Sequence, residues 1–227
     1  MKLTWRTEAA QWVLLLAMFT LAAITWSHAP DRIPIHWNAH GEIDGWSGRF
    51  MGLLFLPLVA TGMYLLLAFI PRLDPGRANY ERFGGAYAII RTAVMLLLFT
   101  IYAVTHAIIR GAKVDVNLVM GLAMGAMFVV FGNVLGKVRP NWFVGVRTPW
   151  TLSSKVSWTK THRLAGWMFL SCGLLVLVAT LVQPKWAIWF IIATIAPAAI
   201  VPIVYSYFAW RSDPDKVSPA GTQPANE

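Results

Sequence analysis

The residues best suited to chemistry form two sparse groups. The first lies in DRIPIHWNAHGEIDGWSGR, where His36, His40, Glu42 and Asp44 are close in sequence. Two imidazoles and two carboxylates could hold a divalent metal. An i, i+4 His pair needs a helix to converge, and Gly41 argues against one. A satisfied turn is therefore the expectation, with no metal. The second group is Arg147 and His162 in GNVLGKVRPNWFVGVRTPWTLSSKVSWTKTHRLAG. That stretch carries Lys137, Arg139, Arg147, Lys155, Lys160 and Arg163 and no acid. Neither group holds a nucleophile beside a base. An enzyme working on a lipid headgroup or a peptide would have to use these residues. We expect no enzyme and no cofactor.

What positions these groups is a set of apolar runs. The 227 residues are 57% hydrophobic and 13% charged, with mean hydropathy +0.58. Such values belong to the membrane class. Six runs, roughly 9–26, 50–70, 86–109, 116–135, 165–182 and 187–210, each approach the ~20 residues that span a hydrocarbon core. A helix satisfies its own backbone there, so six spanning helices are predicted: an all-α polytopic membrane protein. Pro57, Pro197 and Pro202 fall inside runs and predict kinks. Ser27-His28-Ala29 imitates a signal cleavage site after Lys2 and Arg6. Pro30 and the length of the run favour a retained first helix.

The loops alternate in charge. Thirteen Lys and Arg fall on one side and five on the other, with Arg91 inside the third run. The positive-inside rule puts both termini in the cytoplasm, so the loop 27–49 faces outward and the basic loop 137–163 inward. Residues 1–211 read as one membrane domain. The segment 212–227, rich in Pro and small polar residues, reads as a disordered cytoplasmic tail. Contact with anionic lipid accounts for the net charge of +9, at about 1 kcal/mol per cation near the surface. Lipid competes for those cations, so direct nucleic-acid binding is not expected.

Local signals add detail. Ile33, Ile35 and Trp37 alternate with polar or turn residues, which predicts a short strand and a hairpin-like cap. Ser153 or Ser154 can cap a helix starting near Lys155. Arg147 is the best candidate for an anionic partner because its planar fork matches one. Gly121, Gly125, Gly132 and Gly136 fall within about 60° on one helix face and allow close approach of a neighbouring helix, most simply an internal one. Asn133 could hydrogen-bond across that contact. Arg91 can snorkel to the inner surface. His106 and Cys172 read as structural.

Two segments resemble a known family. IPIHWNAHGEIDGW is similar to an Ile-Pro-x-His-(aromatic)-Asn-x-x-Gly-x-x-Asp module near the N-terminus of bacterial membrane proteins of unknown function. It carries Pro34, His36, Asn38, Gly41 and Asp44. The basic stretch resembles the signature of SdpI-type bacteriocin immunity proteins. Asn133, Gly136, Lys137, Pro140 and Asn141 match its first part. Gly145, Arg147, Thr148, Pro149, Trp150, Thr151 and Leu152 match its centre, and Trp158, Thr161, His162 and Arg163 its end. The resemblance implies a multi-pass protein of the bacterial cytoplasmic membrane that protects against a secreted antimicrobial peptide. It also implies a family setting in which a cytoplasmic repressor protein is held at the membrane. Beside the lipid bilayer, these are the partners it implies.

Three functions follow as alternatives. One is immunity with sensing, one a membrane-surface enzyme, and one a small-solute transporter. Acids are absent from the six runs as drawn, which argues against common proton- or cation-coupled transport. No inverted repeat is evident either.

Overall fold

Six long apolar stretches become helices because each can close its own hydrogen bonds where no water is available. The computed structural model describes residues 4–218. In chain order these hold α1 (Trp5–Trp26), β1 (Ile33–Trp37), β2 (Ile43–Ser47), α2 (Arg49–Leu73), α3 (Tyr80–Ile109) and α4 (Val116–Leu135). A single turn, α5 (Pro149–Leu152), precedes α6 (Lys155–Val182) and α7 (Ala187–Arg211). The six helices other than α5 are long and apolar enough to cross a membrane. The predicted all-α, six-span architecture with a small ordered loop after the first helix is the one observed.

The helices pack as two groups of three, α1–α3 and α4, α6, α7, joined along α3 and α4. Met18, Leu53, Ala60, Met95 and Tyr102 form the core of the first group, and Ile33 of β1 plugs its end. Phe128, Cys172, Val176 and Ile191 form the core of the second. Ile70, Tyr80, Tyr87, Val134 and Trp158 bridge the two at the opposite end from the hairpin. Large side chains such as Leu16, Leu66 and Val182 stay exposed, as a lipid-facing surface requires.

The prolines of α2 have a specific consequence. Pro57 and Pro71 lack the N–H that would bond the carbonyls of Leu53 and Leu67. Tyr102 and Tyr87 of α3 donate their hydroxyls to those two carbonyls, at 2.7 and 2.5 Å. The carbonyls are fourteen residues apart on α2 and the tyrosines fifteen apart on α3. At 1.5 Å per residue the two spacings are about 21 and 22.5 Å. Two prolines and two tyrosines thus hold the helices in register, and neither α2 nor α7 is interrupted at its prolines. Within α3 the backbone leaves helical geometry at Phe83 (φ −132°, ψ 20°).

The glycines of α4 face α6. A Cβ on Gly132 would lie 2.5 Å from Leu170 N, and one on Gly125 2.8 Å from Leu177 Cγ. Gly121 meets Thr180 in the same way, whereas Gly136 barely touches Arg163. Asn133 does not reach across: it is exposed and donates to Val129 O of its own helix at 2.8 Å.

Arg91 also departs from expectation. It does not snorkel but is 1% exposed, its Nη1 and Nη2 donating to Glu8 Oε1 and Oε2 at 3.0 and 2.5 Å. The first helix starts earlier than its apolar run, so it contains one acid, Glu8. The absence of acids from the spans therefore fails as an argument about transport. A bidentate pair neutralises both charges where neither can reach water. The Gln11 amide and Thr92 Oγ1 hydrogen-bond beside it at 2.9 Å.

The segment expected to be a disordered tail is described as far as Ser218. Asp213 is buried, and the Ser154 hydroxyl donates to its Oδ2 at 2.5 Å. Val217 N donates to Ser153 O at 3.1 Å. Residues 219–227 lie outside the described residues.

Candidate functional site

The hairpin is built from its own turn outward. Asn38 Oδ1 accepts from His40 N and Glu42 N, and Asn38 Nδ2 donates to Glu42 Oε2 at 3.0 Å. Gly41 sits at φ 81°, which an L side chain rarely adopts. β1 and β2 pair antiparallel, with His36 opposite Gly45. A Cβ on Gly45 would lie 2.7 Å from His36 Cβ, so glycine lets the strands close there. Ile33 and Pro34 are buried against the helices. His36 and Asp44 therefore project from the hairpin, joined at 2.6 Å with side chains 70% and 44% exposed. Arg49 and Asp31 pair nearby at 3.6 Å.

Of the hairpin residues singled out in the sequence, Pro34, Asn38 and Gly41 build the fold, while His36 and Asp44 meet solvent. His40 hydrogen-bonds through its backbone. Among the described residues no group of three His, Cys, Asp or Glu side chains is arranged to hold a metal. Beneath the hairpin lies a cavity of about 590 Å³ lined by Ile35, Trp37, Val104, Met120, Met124 and Ile191 among others.

The basic loop is held by polar side chains turned inward. Asn141 Oδ1 accepts from Phe143 N and Val144 N, and its Nδ2 donates to Arg139 O and Val144 O. His162 Nε2 accepts from Val146 N at 3.0 Å, so the ring proton is on Nδ1, which faces Trp158 O at 2.8 Å. Trp158 stacks on that imidazole at 4.1 Å and donates its indole N–H to Val138 O. Gly145 passes over the ring at φ 104°. Both that angle and the closeness of His162 Nε2 require glycine. Thr148 and Thr151 form a capping box for α5, and Thr148 Oγ1 meets Ser206 Oγ of α7 at 2.9 Å. Ser154 caps α6.

The loop depends on one residue that sequence reasoning overlooked. Asp74 is 1% exposed and accepts from Gly76 N, Tyr80 Oη and Trp142 N. Its signal was an acid followed by Pro75-Gly76 in a loop that also carries Arg72 and Arg77.

What remains outside is charge and ring. Lys137, Arg139, Arg147, Lys155, Lys160 and Arg163 are all exposed. Among the described residues none of the six has a carboxylate within ion-pair distance. Arg147 Nη1 donates to Trp142 O at 3.0 Å. Trp142 and Phe143 are exposed, whereas Trp150 is half-buried against Tyr207. His162 is buried and not beside Arg147 as a reactive pair: its two nitrogens are both taken by backbone groups.

Six membrane-crossing helices, an exposed hairpin at one end and an acid-poor basic loop at the other define a polytopic α-helical membrane protein. Residues 137–206 match the SdpI/YfhL protein family, and residues 13–61 match a domain of unknown function, DUF1648. Over 199 residues the chain is 22% identical to the immunity protein SdpI of Bacillus subtilis (strain 168), covering 88% of this chain and 93% of that relative. No solved structure matches. The chain is accordingly a multi-pass protein of the bacterial cytoplasmic membrane.

Proposed function

We propose that this chain is a non-enzymatic immunity protein that protects its membrane from a secreted antimicrobial peptide. One observation carries the reading: similarity to an immunity protein runs through 88% of this chain and nearly the whole of the relative. We take residues 1–211 as one membrane unit with both termini in the cytoplasm, supported by the positive-inside bias. The hairpin end then faces outward, and the N-terminal Ile-Pro-x-His-x-Asn segment is the outer module that meets the peptide through His36 and Asp44. The basic end faces the cytoplasm. Its unpaired cations favour a second role there, docking an acidic face of a cytoplasmic regulator when the outer end is occupied.

The test is survival. A sensitive bacterium expressing the chain is challenged with an SdpI-type toxin peptide, and survival above the empty-vector control is expected. No protection at normal membrane levels would contradict the proposal. Orientation is checked separately by single-cysteine labelling, since Cys172 is buried. A cysteine at His40 should react from outside intact cells, and one at Lys160 only after permeabilisation.

A further inference from the structure

At the basic end a crevice of about 370 Å³ opens between α3, α4, α6, α7 and the loop. Its walls include Ile90, Phe131, Leu135, Phe169 and Ile203, and among the described residues Arg147 is the one polar side chain lining it. Apart from Arg147 the lining is apolar, which suits an apolar chain that ends in an anionic group. Arg147 is exposed and unpaired by any carboxylate among the described residues, and its bond to Trp142 O fixes the fork. A guanidinium fork matches phosphate in two parallel hydrogen bonds. Exposed Trp142 and Phe143 precede it by five and four residues in the same loop, residue types that settle at headgroup level.

We infer that this crevice binds one anionic phospholipid, with an acyl chain between the helices and its phosphate on Arg147. The inference is independent of the immunity reading. It assigns Arg147 a ligand, where the neighbouring signature residues Asn141, Thr148, Thr151 and His162 are engaged in folding the loop.

The test is native mass spectrometry of purified protein titrated with phosphatidylglycerol or phosphatidylcholine, on variants first shown to be monodisperse. The native chain should retain one phosphatidylglycerol in preference to phosphatidylcholine. Arg147→Gln should reduce that preference about fivefold, the factor one cation contributes near an anionic surface. Ala199→Trp, which fills the crevice from α7, should weaken both lipids. Lys160→Gln, at a residue that does not line the crevice, should change neither. Soluble glycerol phosphate should not displace the lipid. A photoreactive acyl chain should crosslink to Phe131 or Ile203 in the native protein, which needs no variant. Equal losses for Arg147→Gln and Lys160→Gln, indifference to Ala199→Trp, displacement by glycerol phosphate, or crosslinks elsewhere would each overturn the inference.

Discussion

The two ends of the molecule treat their polar residues in opposite ways. At the hairpin end two exposed ion pairs form, His36 with Asp44 and Arg49 with Asp31. At the basic end the six loop cations are exposed and have no carboxylate partner among the described residues, while Asn141, Thr151, Trp158 and His162 are buried and hydrogen-bonded to backbone groups. A long signature motif is therefore mostly a folding instruction. Asn141, Thr148, Thr151, Trp158 and His162 close a loop whose carbonyls and N–H groups have no sheet or helix to receive them. The shorter hairpin motif also spends residues on its turn, but it leaves an imidazole and a carboxylate on the surface.

The contrast predicts that substitutions toward the basic end cost stability, and those on the hairpin surface cost function. The largest loss is expected from Arg91→Ala, which strands Glu8 in the helix bundle. Removing one partner of a buried pair costs about 3–5 kcal/mol. Unfolding in detergent should show it, and the double replacement Glu8→Leu with Arg91→Met should recover much of it. Asn141→Ala comes next, since it leaves two N–H groups and two carbonyls without their partner, at about 1–3 kcal/mol for each buried group that water cannot reach. A basic loop that keeps its stability without Asn141 would break the comparison.

Tyr102→Phe should cost about 1 kcal/mol, the usual size of one intramembrane hydrogen bond. In a Pro57→Ala background the loss should shrink, because the restored N–H again serves Leu53 O. An additive pair would show that the tyrosine is not replacing that donor. A smaller effect concerns the C-terminal segment. The Ser154 hydroxyl holds the Asp213 carboxyl below its ordinary pKa. A depressed folded-state pKa stabilises above the unfolded value of about 3.9 and is lost as pH falls through the folded one. The stability difference between native protein and Asp213→Asn should therefore be present at pH 6 and shrink progressively as pH falls below about 3.9.

The helices were legible because six apolar runs of spanning length allow little else. The hairpin was legible from alternation and turn residues. Less visible were the contacts between distant segments. The α2 prolines could be read as kinks, but nothing local shows that Tyr87 and Tyr102 stand opposite the carbonyls they free. Glu8 lay just outside an apolar run, so its pairing with Arg91, across eighty-three residues, could not be seen. Arg147 was legible as a candidate by its type. That it lines an apolar crevice depends on four helices meeting, which no spacing encodes.

The most direct test of the account is survival under toxin challenge for His36→Ala and Asn141→Ala at matched membrane levels, with thermal stability measured on both. His36→Ala removes an exposed pair worth under about 1 kcal/mol. It should keep its stability and lose protection. Asn141→Ala should lose stability, and any protection lost should follow the amount of folded protein. Full protection by a stable His36→Ala chain would contradict the assignment of the hairpin as the peptide-facing surface.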